Sequence, residues 1–342
     1  MKQRKALNLL LLAASSSSLF AEVVEVTLDA PDFDRWMYPY NASPGSRELA
    51  STFSSVDSGF DIFDDRDGQA FLGFITQNDV ASGLGHDAYD ITSATIYITI
   101  SGDQLQYDPT VDAWDTYLEG VVEDSDSGRP FELFGAAFRN EYTGWSFGET
   151  GPFPFGAVRG ERNVYPITFT DSGDAIDASN NVLEEFTPMP FATGRTDLVQ
   201  PGQFMPSETV LSFDVDVSDP DIQCYLRSSV NDGLLSVVLT SLHFASQPGL
   251  KQLGGLSYPN FHMKESLAVV LGLVDAARCD LTVVVAEQVS IPEDIDGDGS
   301  VSVTDLLVLI GDWGDCNCCS SDINIDGEVN VIDLLAVIAA WS

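Results

Sequence analysis

The chain has 342 residues, of which 53 are Asp or Glu and 15 are Lys or Arg, for a formal net charge of −38. So acidic a surface repels nucleic-acid phosphates and anionic lipid headgroups, which argues against both as partners, and it attracts cations. Hydrophobic residues at 44% with 10% aromatics exclude a disordered acidic chain, and the length suits one large domain plus a small one, or two medium ones.

Lys2, Arg4 and Lys5 precede a short apolar run from Leu7 to Ala14 and a small, polar stretch from Ser15 to Ala21. This order predicts a secretory signal over 1–21, cut near Ala21, and hence a secreted or cell-surface protein. Without those three cations the remainder carries −41 (−38 less 3), and Lys251 and Lys264 are its only lysines. No stretch reaches ~18 apolar residues, so no membrane span is expected in the mature chain.

From Glu22 to about Ser290 the texture is β. The segments 23–28, 94–100, 163–170, 209–217, 234–244 and 279–285 are rich in β-branched residues, and several alternate apolar with polar. Clusters of Gly, Pro, Asp and Ser separate them at 29–32, 42–46, 64–69, 125–130 and 246–249 and read as turns. The pattern predicts a mainly β fold over 22–290, an antiparallel, jelly-roll-like β-sandwich. One helix is expected over Ile222 to Asp232, between the DPD start signal at 219–221 and Gly233. The Gly-, Pro- and aromatic-rich segment 140–166 reads as a long loop or a pair of bent edge segments.

Export permits disulfides among the five cysteines. Cys224 with Cys279 is the expected pair in the large region, with a second pair among Cys316, Cys318 and Cys319 and one thiol left over. No His and no second Cys pair follows the last three, so zinc is not expected.

Catalytic signals are thin. Gly144-Trp-Ser146-Phe-Gly148 has the G-x-S-x-G spacing, with His243 and His262 downstream, but Pro152 and Pro154 oppose the helix that such an elbow needs. His86, His243 and His262 have no metal-ligand spacing, and His243 sits in an apolar strand where packing explains it. Glu132, Glu184 and Glu185 are candidate glycosidase carboxylates, indistinguishable from other acids by sequence. Asp64, Asp65 and Asp67 lead into the strand-like AFLGF and fit either a structural calcium or an Asp-Gly turn. This stretch, with DRWMYPYNASPG at 34–45, resembles exported β-sandwich modules of the DNRLRE and carbohydrate-binding kind. Trp36, Tyr38, Tyr40, Trp114, Tyr142, Trp145 and Phe147 are available to stack on sugar rings. Trp145, in a Gly-rich context that suggests exposure, and Trp36 are the chosen ligand-binding candidates.

The texture changes at Pro292, after which the chain holds eleven acidic residues and no Lys or Arg. DIDGDGSVSVTD at 294–305 is repeated, 28 residues on, as DINIDGEVNVID at 322–333. Asp294, Asp296, Asp298 and Asp305 stand at loop positions 1, 3, 5 and 12 of the first copy, and Asp322, Asn324, Asp326 and Asp333 at those of the second. Ser300 and Glu328 occupy position 7, where a backbone carbonyl completes the oxygen shell that Ca²⁺ requires, and Gly299 and Gly327 permit the turn at position 6. Two Ca²⁺ sites are therefore expected. Val301 and Val329, at position 8, are expected to face each other in a short strand-like contact. Each loop leads into an apolar run with helical spacing, Leu306, Leu307, Leu309, Ile310 and Trp313, then Leu334, Leu335, Val337, Ile338 and Trp341. Ile291-Pro292 leaves no room for an entering helix, so each unit is a loop followed by one helix.

The segment 292–342, with DIDGDGSVSVTDLLVLIGDW and DINIDGEVNVIDLLAVIAAW, resembles a dockerin domain, and GDWGDC…CC between the repeats is similar to the Gly-Cys-containing variant of planctomycete-type exported proteins. The resemblance implies a small α domain that folds around calcium and docks to a cohesin-type or other surface receptor on a scaffold or cell surface. Val303, Thr304, Val331 and Ile332 at loop positions 10 and 11 are more apolar than the usual hydroxylated pair. They and the Cys316–Cys319 insert leave the receptor open. The expected whole is an exported, non-catalytic protein whose β module binds polysaccharide or builds the envelope; the alternative is a polysaccharide-degrading enzyme with a dockerin.

Overall fold

The computed structural model describes residues 21–41, 44–54, 65–102, 105–117, 124–157, 160–244, 258–286, 291–316, 318–324 and 327–341. The expected signal up to Phe20, the turn at 246–249, Asp64 and Asp326 lie outside the described residues.

In chain order the strands of the large region are β1 (Ala21–Leu28), β2 (Phe33–Met37), β3 (Leu49–Ser51), β4 (Gln69–Ile75), β5 (Tyr89–Thr99), β6 (Phe131–Phe138), β7 (Val164–Phe169), β8 (Ala175–Asp177), β9 (Ala192–Thr193), β10 (Val210–Asp214), β11 (Leu234–Ser241), β12 (Asn260–His262) and β13 (Arg278–Ala286). Among the described residues three α-helices lie between them: α1 (Gly144–Phe147), α2 (Pro220–Asp232) and α3 (Leu267–Val270). The fold is mainly antiparallel β. One sheet has the order β1-β13-β5-β10; the larger has β2-β4-β11-β6-β7-β8, with β9 beside β6. A third, short pair joins β12 to β3.

The two large sheets share one core. Val24, Val26, Ile91, Ile96, Leu281 and Val283 enter it from the first, and Leu72, Phe74, Leu133, Val237 and Leu239 from the second. β13 shows the cause: along CDLTVVV alternate side chains turn inward, so Cys279, Leu281, Val283 and Val285 are buried and their neighbours half-exposed. β11 is buried on both faces. Its outer side chain Val238 packs in a second cluster with Met37, Phe71, Ala136, Phe147 and Val164, which α1 helps to cover. The segment 140–166 thus contains one short helix, capped by Thr143 and followed by an irregular run up to β7.

Sequence reasoning missed β6. Its residues, FELFGAAF, lack β-branched side chains, and neighbouring strands on both sides impose the extended form. Gly135 is needed there because a Cβ would lie 2.8 Å from the Phe191 ring. Helix α2 follows its sequence signals. Asp219 caps its first amides at 2.9 and 3.2 Å, Pro220 opens it, and Gly233 closes it at φ 79°. Ile222, Leu226 and Val230 join the main core.

The last segment has two further helices, α4 (Val303–Gly311) and α5 (Val331–Ala339), and two short strands, β14 (Gly314–Asp315) and β15 (Glu328–Val329). Val301, Leu309, Cys316, Val329 and Val337 form its core. Val301 and Val329 share that core as expected, but the strand partner of Val329 is Gly314. The apolar helix residues divide between two faces. Leu306, Leu309, Leu334 and Val337 turn inward, while Leu307, Ile310, Leu335 and Ile338 are each more than half exposed.

The expected Cys224–Cys279 pair is incorrect. Cys224 in α2 is bonded to Cys318, and Cys316 to Cys319. Cys279 is free: the alternation of β13 buries it in the core, and the other four cysteines are bonded to one another. The thiol left over therefore lies in the large region, not in the Cys316–Cys319 cluster.

Candidate metal centre

The described parts of the two loops share several hydrogen bonds. Asp294 Oδ2 accepts from Gly299 N at 2.7 Å, and Asp322 Oδ2 from Gly327 N at 2.8 Å. Ser302 caps α4 and Asn330 caps α5, and each helix holds its position-12 Asp at the third residue. Asp305 Oδ2 accepts from Ser302 N at 2.7 Å and Asp333 Oδ2 from Asn330 N at 2.9 Å, so the helix start fixes the carboxylate. Their Oδ1 atoms reach back across the loop, Asp305 to Asp296 N at 3.1 Å and Asp333 to Ile323 N at 2.9 Å and Asn324 N at 3.2 Å. Asp305 and Asp333 are fully buried. The amides donated to Asp305 hold its carboxyl below the usual range, against the opposing effect of burial.

In the first loop, carboxylate oxygens of Asp294, Asp296 and Asp305 lie within 4.8 Å of one another. Asp298 is tied to the same ring, since its amide donates to Asp294 and Asp296 at 3.1 Å each. Ser300 N donates to Asp298 Oδ1 at 2.9 Å, which sets the turn at position 7. The donors are all hard oxygens, a set suited to a hard divalent cation. In the second loop Gly327 N donates to Asp322 Oδ2 and Asn324 N to Asp333 Oδ1, and Glu328 at position 7 lies in β15.

This segment sits against the β module. A cavity of about 180 Å³ lies between Asp294, Asp296 and Asp322 on one side and the turn Leu84–Ala88 on the other. His86 in that turn approaches Cys318 Sγ at 3.6 Å and Ser228 Oγ at 3.2 Å, and burial lowers its pKa.

Two more acidic clusters lie in the β module. Asp34, Glu149 and Glu265 surround an internal cation, the Lys264 ammonium, 3.1 Å from Asp34 and 2.7 Å from Glu149. Burial, then the Asp34 charge, pushes the Glu265 carboxyl up to about 7. Asp108, Asp112 and Asp126 form the other. Sequence reasoning missed both, because their members come from separate segments without a ligand spacing. The acidic turn it did notice is explained by packing. Asp67 is buried with Arg162 Nη2 at 2.8 Å, and Asp65 accepts from Leu183 N at 2.8 Å.

Trp145 is 40% exposed at the rim of a cleft of about 390 Å³ lined by Phe138, Tyr142, Phe169, Tyr225 and Asp232. Its indole N–H donates to Asp232 O at 3.2 Å, and its ring meets the edge of Phe33. Trp36 lies elsewhere. It stacks on Tyr38 at 5.2 Å and donates to Ser51 O at 2.8 Å, and the exposed end of that aromatic run is Tyr40 against Phe155.

The other catalytic candidates are held by neighbours. Ser146 closes the capping box with Thr143. His243 is buried and stacked on Phe131, and burial, aided by the Arg129 charge, lowers its pKa to about 3. Glu132 is buried in an ion pair with Arg66, and Glu184 and Glu185 are exposed away from the cleft. One arrangement not foreseen is His262, whose Nδ1 lies 2.8 Å from Ser266 Oγ and whose Nε2 lies 2.7 Å from Glu208 Oε2. Ser266 is 3% exposed and lines neither of the two clefts described above.

No protein-family model matches the chain, and no curated protein or solved structure matches it. The reading of function therefore rests on the residues themselves.

Proposed function

We propose that the protein is an exported, non-catalytic component that attaches to a surface receptor through a calcium-folded, dockerin-like segment and presents a glycan-binding β-sandwich. The observation that carries this reading is the repeat in what the last two helices leave exposed. Val303, Leu307, Ile310 and Trp313 recur 28 residues later as Val331, Leu335, Ile338 and Trp341, each between 47% and 63% exposed. Inward positions keep the same period, Val301, Asp305 and Leu309 matching Val329, Asp333 and Val337. Apolar side chains on a second face add nothing to the segment's own core, and such patches mark places where another protein binds. The position-12 carboxylates anchor both helices, so a cation in each loop would fix the relative placement of the two apolar faces. Asp294, Asp296, Asp298 and Asp305, with the Ser300 carbonyl, would hold one Ca²⁺. Asp322, Asn324, Asp326 and Asp333, with the Glu328 carbonyl, would hold the other.

The cleft at Trp145 supports binding over hydrolysis. Its aromatic walls suit the CH faces of a sugar, and Asp232 is its only carboxylate among the described residues. Glycoside cleavage by the usual route needs two.

Binding to immobilised cohesin-type receptors, with calcium and then with chelator, tests the attachment. Retention in calcium, loss in chelator, and at least tenfold weakening in the Leu307→Asp/Leu335→Asp double variant are expected. Equal retention in chelator contradicts it. A glycan array with Trp145→Ala as control, run beside a reducing-sugar assay, tests the module, and release of reducing ends would support the enzyme instead.

A further inference from the structure

We propose that the β module carries a calcium site of its own, formed by Asp108, Asp112 and Asp126 and separate from the repeated loops. One carboxylate oxygen of each lies within 4.8 Å of the others. Proximity alone is ordinary in so acidic a chain; what distinguishes this cluster is Asp108. Its side chain is 2% exposed, and its Oδ2 has no hydrogen-bond partner. A buried carboxylate oxygen without donor or counter-charge costs free energy that a bound cation removes.

The described donors around the cluster go to other oxygens, the Tyr117 hydroxyl to Asp112 Oδ2 at 3.2 Å among them. Thr110 gives both its amide, at 2.9 Å, and its hydroxyl, at 2.6 Å, to Asp108 Oδ1, and the same hydroxyl lies 3.2 Å from Asp126 Oδ2. This pins the Asp108 carboxylate toward Asp126. Arg129 is the nearby cation, but it is committed to the other side. Its Nη1 meets Asp112 Oδ2 at 3.2 Å, Asp124 Oδ2 at 3.3 Å and Thr116 Oγ1 at 3.3 Å, and its Nη2 meets Thr116 O at 3.2 Å. Asp112 and Asp124 thus share one guanidinium, and no ion pair among the described residues reaches Asp108 or Asp126.

The cluster at Asp34 is the useful contrast. There the Lys264 ammonium stands among the acids as a built-in cation. Around Asp108 no described side chain plays that part. The frame is also rigid. Tyr107 is bonded to Gln203 and Gly202 through its backbone, and the Pro109 carbonyl accepts from Thr193 Oγ1 at 2.8 Å. Oxygen donors alone select a hard cation, and an acidic, partly exposed rim at Asp126 suits Ca²⁺, which tolerates irregular coordination and retained water.

Calcium titration of the full chain, with bound ions counted by native mass spectrometry, tests the site. Asp126→Asn is the first variant because Asp126 is exposed and its loss does not disturb the core; Asp108→Asn is the second, and circular dichroism establishes the fold of both. Each variant is expected to lose one calcium ion relative to the wild type, or to bind one ion at least tenfold more weakly. The comparison is a difference, so it holds whatever the repeated loops bind. If counts and affinities match the wild type within twofold in the folded Asp126→Asn protein, the site is refuted.

Discussion

Cys224, in the helix that seals the β module, is bonded to Cys318, between the two acidic loops, across 94 residues of sequence. The bond closes a long loop and ties the last segment to the module, which limits how far the two can separate. The segment's loops face the His86 turn. Its exposed apolar helices remain available to a partner.

The pairing has a direct chemical consequence. In the native protein a thiol reagent should find no reactive cysteine, because Cys279 is buried and burial pushes its thiol up to about 12. Unfolding without reductant should expose one thiol, and reduction should raise the count to the five cysteines of the chain. Two or more thiols in the unfolded, unreduced protein would contradict the pairing.

His243 makes stability depend on pH. Its folded pKa is lowered to about 3 by burial, whereas the unfolded side chain titrates near ~6.5. Below that unfolded value the unfolded chain binds a proton that the folded chain refuses. Stability therefore falls as pH drops from about 6.5, by up to ~1.4 kcal/mol per pH unit from this group. Urea unfolding at pH 7.5 and 5.0 should show a steeper loss in the wild type than in His243→Gln; equal losses would remove His243 from the account.

The buried pair of Arg66 and Glu132 makes a third expectation. Arg66 also donates to Ala178 O at 3.1 Å and Asn181 Oδ1 at 3.2 Å, so its position is fixed. Glu132→Gln leaves a guanidinium buried without its counter-charge and should cost ~3–5 kcal/mol in chemical denaturation. Arg66→Met added to that variant should recover part of the loss. A change under ~1 kcal/mol for Glu132→Gln would mean that the charge is compensated elsewhere.

Much of this was legible in the sequence where the signal is local. The capping residues Ser302 and Asn330, the loop glycines Gly299 and Gly327, and the caps of α2 act over a few residues, and the structure has the same turns and helix starts. The β-branched run at 279–285 marked β13 as a strand. What could not be read depends on tertiary contact. Cys318 finds Cys224 through the docking of the last segment, and FELFGAAF becomes a strand because β11, β7 and β9 flank it. Asp108 and Asp126 meet because Thr110 bridges them, and no spacing rule anticipates that. Leu307 and Leu335 fitted a single apolar stripe by period, but the small core of two helices accommodates only the Leu306 and Leu309 side and its repeat.

The central claim, that calcium organises the last segment for docking, is tested most directly by hydrogen exchange of the full-length protein in calcium and in excess chelator. Amides of Val303–Gly311 and Val331–Ala339 should lose protection when calcium is removed, while β5, β11 and β13 keep theirs. Unchanged protection of both helices in chelator would contradict the claim.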